Sequence, residues 1–458
     1  MADRPVIVLE FNELTPSLIE RFMHDGDLPN FARLRSQSRV FTTLADERPP
    51  YLEPWIQWVT VHSGLPYSEH GVFHLDEGHK LAAKRTWEIL ADTGRRAWVC
   101  GSMNVRGGNG TSAVLPDPWC TTVDPTPAEL NTYFRFVRQN VLEHTNDRVP
   151  LTRADYAKFL TFMAGHGLSL QTMRAITSQL LEERSADSRW KRVVLLDLLQ
   201  FDVFRHYYRR MRPAFSTFFL NSTAHYQHAY WDSMAPEQFG AVRDADRAKF
   251  RDAIRFGYQR MDALIARFMD LASSSNAVLV LCTALSQQPS PDYDTSGGGT
   301  FFRPKNFADF GKAVGLPGPF TAQPVMSEQF HLEFNDAAQA EAAEALLKHL
   351  TLDGEPVMAL RREGARLFAG CRIHRQVPQG AVIALRGRQL PFFDLFYRMD
   401  TSKTGVHHPD GILWIRLPDA RHAVSAERVP LTAVAPTFLK LFDVQPPSQM
   451  RTAPLDLA

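Results

Sequence analysis

The chain has 458 residues, 44% hydrophobic and 22% charged, enough to bury a large core in one α/β domain with insertions or in two domains. Its 51 Lys and Arg against 50 Asp and Glu leave a formal net charge of +1, which gives no electrostatic reason to expect nucleic acid or an acidic membrane surface as partner. No window reaches the roughly 18 uninterrupted apolar residues of a membrane-spanning helix.

The first residues, "MADRPVIVLEF", pass straight into an apolar strand with no signal-peptide core, so a cytoplasmic protein is expected. "PVIVLEF" (Pro5 to Phe11) is a continuous apolar run of the kind that forms a central parallel strand covered on both faces. "TPSLIERFMHDG" follows as a helix, with Thr15 as N-cap, Pro16 at the first helical position and Gly26 as its stop. "PPYLEPWIQWVTVHSG" (Pro49 to Gly64) has the layout of a rigid turn that presents one side chain and then enters a buried helix. The side chain so presented is Leu52, which has no chemistry of its own.

"AWVCG", "RVVLLDLL", "FSTFFLN" and "AVLVLCTAL" repeat the buried-strand pattern, with amphipathic stretches such as Lys249 to Ala272 between them. Strands alternating with helices imply a three-layer α/β/α sandwich around a mostly parallel sheet. Residues 1–124 and 191–458 are assigned to this core, and 125–190 to an inserted helical cap. Residues 290–330 read as a Gly/Pro-rich flap that matches no phosphate-loop spacing, and 355–390 as a small β excursion. The cysteines, Cys100, Cys120, Cys282 and Cys371, form no CxxC or zinc-knuckle spacing and read as reduced, mostly buried thiols. In such sheets ligands bind outside the carboxyl ends of the strands, so the informative residues follow each apolar run.

Five segments, in order, resemble the alkaline phosphatase superfamily in its type I phosphodiesterase/nucleotide pyrophosphatase branch. They are "VIVLEFNELTPSLIERFMHDGDLPNFARL", "PPYLEPWIQWVTVHSGLPYSEHGV", "AHYQHAYW", "TGVHHPDGILWIR" and "VAPTFLKLFDVQPP". The resemblance implies two divalent metals on acidic and histidine ligands, and a Thr or Ser that attacks phosphorus. Position by position, Asn12 stands where the first metal aspartate belongs and Leu52 where the nucleophile belongs. Ala224 replaces the second-site aspartate, Ala284-Leu285 replace the late Asp-His pair, and His228 and His407 keep two ligand positions. Two divalent cations need several carboxylates to offset their charge, and leucine forms no covalent intermediate. The inherited two-metal mechanism is therefore not expected.

Polar residues stand in its place. Glu10 and Glu13 flank Asn12, with Glu10 where the resemblance would expect a glycine. Glu53 follows Leu52, and Gln57, His62, His70 and His74 lie along the next helix and loop. His225 and His228 are joined by His407, His408 and Asp410. Taken singly, each reads better as a hydrogen-bonded core group; as a cluster they read as a rebuilt centre. The expectation is a transferase or hydrolase acting on a phosphate-, sulfate- or nucleotide-linked small molecule. Glu10 or Glu53 would be the general base and Asn12 would orient the substrate. A histidine among His225, His228 and His407 would be the acid or hold one zinc-like divalent ion, or no metal would be present. Glu13, Gln57, His62, His74 and His408 would contact substrate. A non-catalytic ligand- or partner-binding descendant is the alternative, and a conventional two-metal phosphodiesterase the third reading.

Overall fold

The computed structural model describes residues 4–49, 51–108, 112–145, 151–239, 248–290, 300–324, 328–399, 404–419 and 421–457. Strand β1 is Val6–Phe11, β2 is Arg39–Leu44, β3 is Ala97–Cys100, β4 is Ala113–Leu115, β5 is Phe215–Leu220 and β6 is Val278–Cys282. With Asp410–Arg416 and Ala423–Pro430 they make an eight-stranded sheet, in which β1 lies between β5 and β6. The pairs β6–β1, β1–β5, β5–β3 and β3–β4 are all parallel, and only Asp410–Arg416 runs against its neighbours β2 and β6.

Alternation along β1 decides what each face packs against. Ile7, Leu9 and Phe11 join the apolar core under helices α1 (Pro16–His24), α2 (Pro29–Ser36) and Ala253–Ser275. Val6 and Val8 join a second core on the opposite face, beneath α3 (Pro54–Ser63) and Val434–Lys440. A strand apolar on both faces is stable only between two helical layers, which is the sandwich the sequence implies. "RVVLLDLL" departs from the strand expected of it, lying at the start of the 19-residue helix Val193–Met211. A short stretch such as this, with six apolar residues in eight, does not by its periodicity distinguish a buried strand from a buried helix segment.

Helices Asn131–Thr145, Arg153–Gly165 and Leu170–Glu182 occupy the 125–190 region. Tyr133, Phe136, Phe159 and Met163 carry the first two of them into the same core as Phe11 and Phe218. The stretches read as flap and β excursion share a third core. Strands Phe320–Pro324, Gln329–Phe334, Met358–Glu363 and Arg366–Cys371 form one antiparallel sheet, and a second four-stranded sheet ends at Arg388–Pro391. Phe302, Phe330, Leu367 and Phe392 pack between them, so this is one small lobe. Residues 291–299 and 325–327 of the flap lie outside the described residues. The lobe is rooted on an antiparallel pair, Ser286–Pro289 with Gly405–His408, whose register sets Gln287 opposite His407. All four cysteines are free and buried. Among the described residues no helix is long and apolar enough to cross a membrane.

Candidate functional site

Four elements bring titratable side chains to the carboxyl end of β1. Glu13 follows the strand by two residues, in a left-handed conformation with φ of 61°, costly for a residue with a Cβ. His228 lies on helix Ser222–Met234, which begins just beyond β5. His407 stands on the root of the small lobe, and Glu53 at the N-cap of α3. Glu13 Oε2 lies 3.0 Å from His228 Nε2 and 3.5 Å from His407 Nε2, and His407 Nδ1 lies 3.4 Å from Glu53 Oε2. The side chains of Glu53 and His228 are 26% and 19% exposed, so a ligand can reach them from solvent.

The carboxylate of Glu13 is held on every side. Asn12 Nδ2 donates to its Oε1 at 2.6 Å, and Gln287 Nε2 donates to its Oε2. Gln227 Nε2 fixes its backbone carbonyl at 2.7 Å. Burial alone would raise the Glu13 pKa, but the His228 and His407 imidazoles overcome that and hold it well below the carboxylate range. His228 adds a constraint of its own. Its Nδ1 lies 3.0 Å from the Gly405 carbonyl, which can only accept, so Nδ1 carries a hydrogen. Its Nε2 then faces a carboxylate oxygen at 3.0 Å, an arrangement that requires a cation between them, either a proton or a metal ion.

The donor chemistry fits one divalent ion. Ligand atoms of Glu13, His228 and His407 lie within 4.8 Å of one another. Each imidazole also turns its other nitrogen to an oxygen, Gly405 O for His228 and Glu53 for His407, as metal-ligating histidines do. The residues do not fit a second ion. Leu52, Ala284 and Leu285 are buried with Trp58, Phe219 and Cys282 in the apolar core beneath α3, and Ala224 is fully buried.

The remaining sequence-predicted residues fall elsewhere. Glu10 belongs to the opposite face of β1 from Phe11, and both its oxygens are engaged, with His62 Nε2 at 2.9 Å and Ser102 Oγ at 2.7 Å. It is enclosed and stands outside the Glu13 cluster, and His62, stacked on Trp58, stays with it. Asn12 does not face a ligand: it donates to Glu13 and Asn221 and accepts from the Trp58 indole at 2.8 Å. Gln57 is buried and donates to the Tyr51 carbonyl. His225 is exposed one turn before His228 and does not join the ligand group. His408 points away from its neighbour and accepts the Asp410 amide through Nδ1. His74 belongs to a separate cluster with Glu77 and Glu363. Gln287 and Gln227 were not singled out from the sequence, which carries no signal for either beyond their nearness to Leu285 and His228.

Among curated proteins none matches the chain in sequence. Solved structures similar to it include phosphonoacetate hydrolase from Sinorhizobium meliloti in complex with phosphonoacetate, 11% identical over 97% of this chain and 96% of that one, TM-score 0.42. Murine ectonucleotide pyrophosphatase/phosphodiesterase 5 in complex with AMP is 10% identical, over 97% and 96% of the two chains, TM-score 0.41. Wild-type alkaline phosphatase PafA is 12% identical, over 99% and 98%, TM-score 0.48. The family model of type I phosphodiesterase / nucleotide pyrophosphatase matches residues 6–368. The chain belongs to the type I phosphodiesterase / nucleotide pyrophosphatase family.

Proposed function

We propose that the chain is a phosphoryl- or sulfuryl-transfer enzyme, hydrolase or transferase, whose centre is rebuilt around Glu13, His228, His407 and Glu53. The observation that carries this reading is the 3.0 Å approach of His228 Nε2 to Glu13 Oε2, with the hydrogen of the ring already committed to Gly405. A decayed site would not keep an ionised, buried carboxylate facing two imidazoles, because each such group costs free energy unless it is paired.

Glu13, His228 and His407 would hold one divalent ion. When bound there, the ion would act as a Lewis acid on a phosphoryl or sulfuryl oxygen. Glu53 is the general base of this reading, since its carboxylate is partly exposed whereas that of Glu10 is sealed between His62 and Ser102. It would take the proton of an attacking water or acceptor hydroxyl, and its contact with His407 keeps it aimed at the cluster. Asn12 and Gln287 position Glu13 and do not touch substrate. Leu52 leaves no residue at the family's attacking position, so the displacement is direct, with no covalent phosphoryl-enzyme. Substrates are phosphate-, sulfate- or nucleotide-linked small molecules, and the four free thiols support a reducing, cytoplasmic setting.

The test is elemental analysis of the purified protein, combined with incubation against nucleotides, nucleotide sugars and sulfated or phosphorylated metabolites, with and without a hydroxyl acceptor, read by mass. About one equivalent of metal lost in His228→Asn, together with a metal-dependent product, supports the reading. Ligands that bind and are recovered unchanged turn it over in favour of a binding protein.

A further inference from the structure

We propose a second divalent-cation site, apart from the Glu13 cluster, at the joint between the α/β core and the small lobe, built from His74, Glu77 and Glu363 with His331 beside them. His74 and Glu77 belong to the core segment that follows α3. Glu363 ends strand Met358–Glu363 and His331 lies on Gln329–Phe334, both in the lobe. One ligand atom from each of His74, Glu77 and Glu363 lies within 4.8 Å of the other two.

The fixed parts of this cluster are donors. His74 and Glu77 are buried, Glu77 Oε2 accepts the His74 amide at 3.0 Å, and the Glu77 amide is anchored on Asn104 Oδ1 at 3.0 Å. His331 is only 3% exposed, and neither ring nitrogen has a hydrogen-bond partner among the described residues. Its ring packs perpendicular to that of His74, with centroids 5.4 Å apart. Burying an unpaired polar group is costly, and the coordination shell of an ion beside His74 would give these nitrogens a partner.

The positive charges are the movable part. Lys80 Nζ sits 2.5 Å from Glu77 Oε1 and 3.8 Å from Glu363 Oε2, on a side chain that is 48% exposed. Arg361, which pairs with Glu363 and lies 4.2 Å over the Phe73 ring, is 45% exposed. A divalent ion would displace the Lys80 ammonium from between the same two carboxylates and add the His74 nitrogen. An imidazole with two carboxylates suits zinc or manganese better than magnesium. Bound there, the ion would tie the lobe to the core beside α3, since the Trp55 indole donates to the Phe73 carbonyl at 2.8 Å.

The experiment is a titration of the chelator-treated full chain with zinc ions by calorimetry. Two classes of site are expected. His228→Asn should abolish one and leave the other. Glu363→Gln should weaken the second by about tenfold or more and leave the first. Lys80→Gln, which removes the competing ammonium, should tighten the second by about tenfold or more. A chain with no equivalent that survives His228→Asn, or a surviving equivalent indifferent to both Glu363→Gln and Lys80→Gln, overturns the proposal. Failure of His228→Asn to remove any site would count against the catalytic reading alone.

Discussion

At the carboxyl edge of the sheet, Glu13, His228, His407 and Glu53 form a chain of contacts of 3.0 to 3.5 Å. Near them, Leu52, Ala284 and Leu285 are packed with Cys282 and Phe219 as if no site had been there. The sequence resemblance places one two-metal centre across both regions; one carries charge and the other carries none. The difference teaches that charge leaves a buried site in sets. A lone aspartate at position 284 would be an unpaired charge in an apolar layer, and a lone hydroxyl at position 52 would have no metal beside it. On the proposed reading, losing the nucleophile and the second-site carboxylates together avoids both costs, and the histidines that remain are those that Glu13 can pair.

That contrast makes the polar region sensitive in activity and the apolar region sensitive in stability. The largest effect on turnover is expected from Glu13→Gln, which keeps shape but removes the shared negative charge. Product formation should fall by roughly 10²-fold or more, with loss of the bound ion, measured by mass-detected turnover and elemental analysis. If the variant keeps its turnover, the polar region is not the centre.

Leu52→Ala inverts the pattern. Deleting a side chain only 3% exposed should cost about 2–5 kcal/mol in a denaturant titration, with little effect on turnover once the protein is folded. A collapse of turnover with unchanged stability would assign Leu52 a role at the reacting atoms.

His70 sharpens the comparison through pH. Its Nδ1 accepts the Val72 amide at 3.1 Å, its Nε2 contacts Thr60 Oγ1, and burial lowers its pKa from 6.5 to about 4. The folded state therefore takes up this proton less readily than the unfolded chain. The His70 contribution to stability is complete above pH 6.5 and is lost as pH falls from there towards 4, at a slope of at most about 1.4 kcal/mol per pH unit. His70→Gln should flatten that part of the stability profile, read by thermal melts from pH 7 to 4.

The smallest effect on turnover is expected from Glu10→Gln. It disturbs the His62 and Ser102 contacts and should cost about 1–3 kcal/mol in stability while turnover stays near the wild-type value. A large loss of turnover in a stable Glu10→Gln protein would return that carboxylate to the reaction.

The strands were legible because their apolar runs are short, continuous and bounded, whereas Asn12, His228 and His407 were picked out by the family resemblance and Glu53 by its place beside Leu52. Alternation could have separated Glu10 from Glu13: Val6, Val8 and Glu10 share a face, and that face looks under α3. Glu13 stood in the sequence as a substrate contact, because spacing does not reveal a left-handed backbone that swings a side chain towards two histidines. His225 and His228, three residues apart, lie within 60° of each other around a helix axis by spacing alone; only the packed helix distinguishes the exposed ring from the inward one. The small lobe was read as two pieces because its sheet pairs Phe320–Pro324 with Gln329–Phe334 and then with strands after residue 355, over a separation that carries no local signal.

The cysteines give the molecule built-in reporters of its own opening. Cys100 belongs to the core under α1 and α2, Cys282 to the core under α3, and Cys371 to the core of the lobe. Burial raises the pKa of each of these thiols, that of Cys371 to about 12, so none is nucleophilic while its own layer is closed. An alkylating reagent therefore reads out which layer breathes, thiol by thiol. The order in which the three acquire label ranks the lobe against the two faces of the sheet in local unfolding free energy.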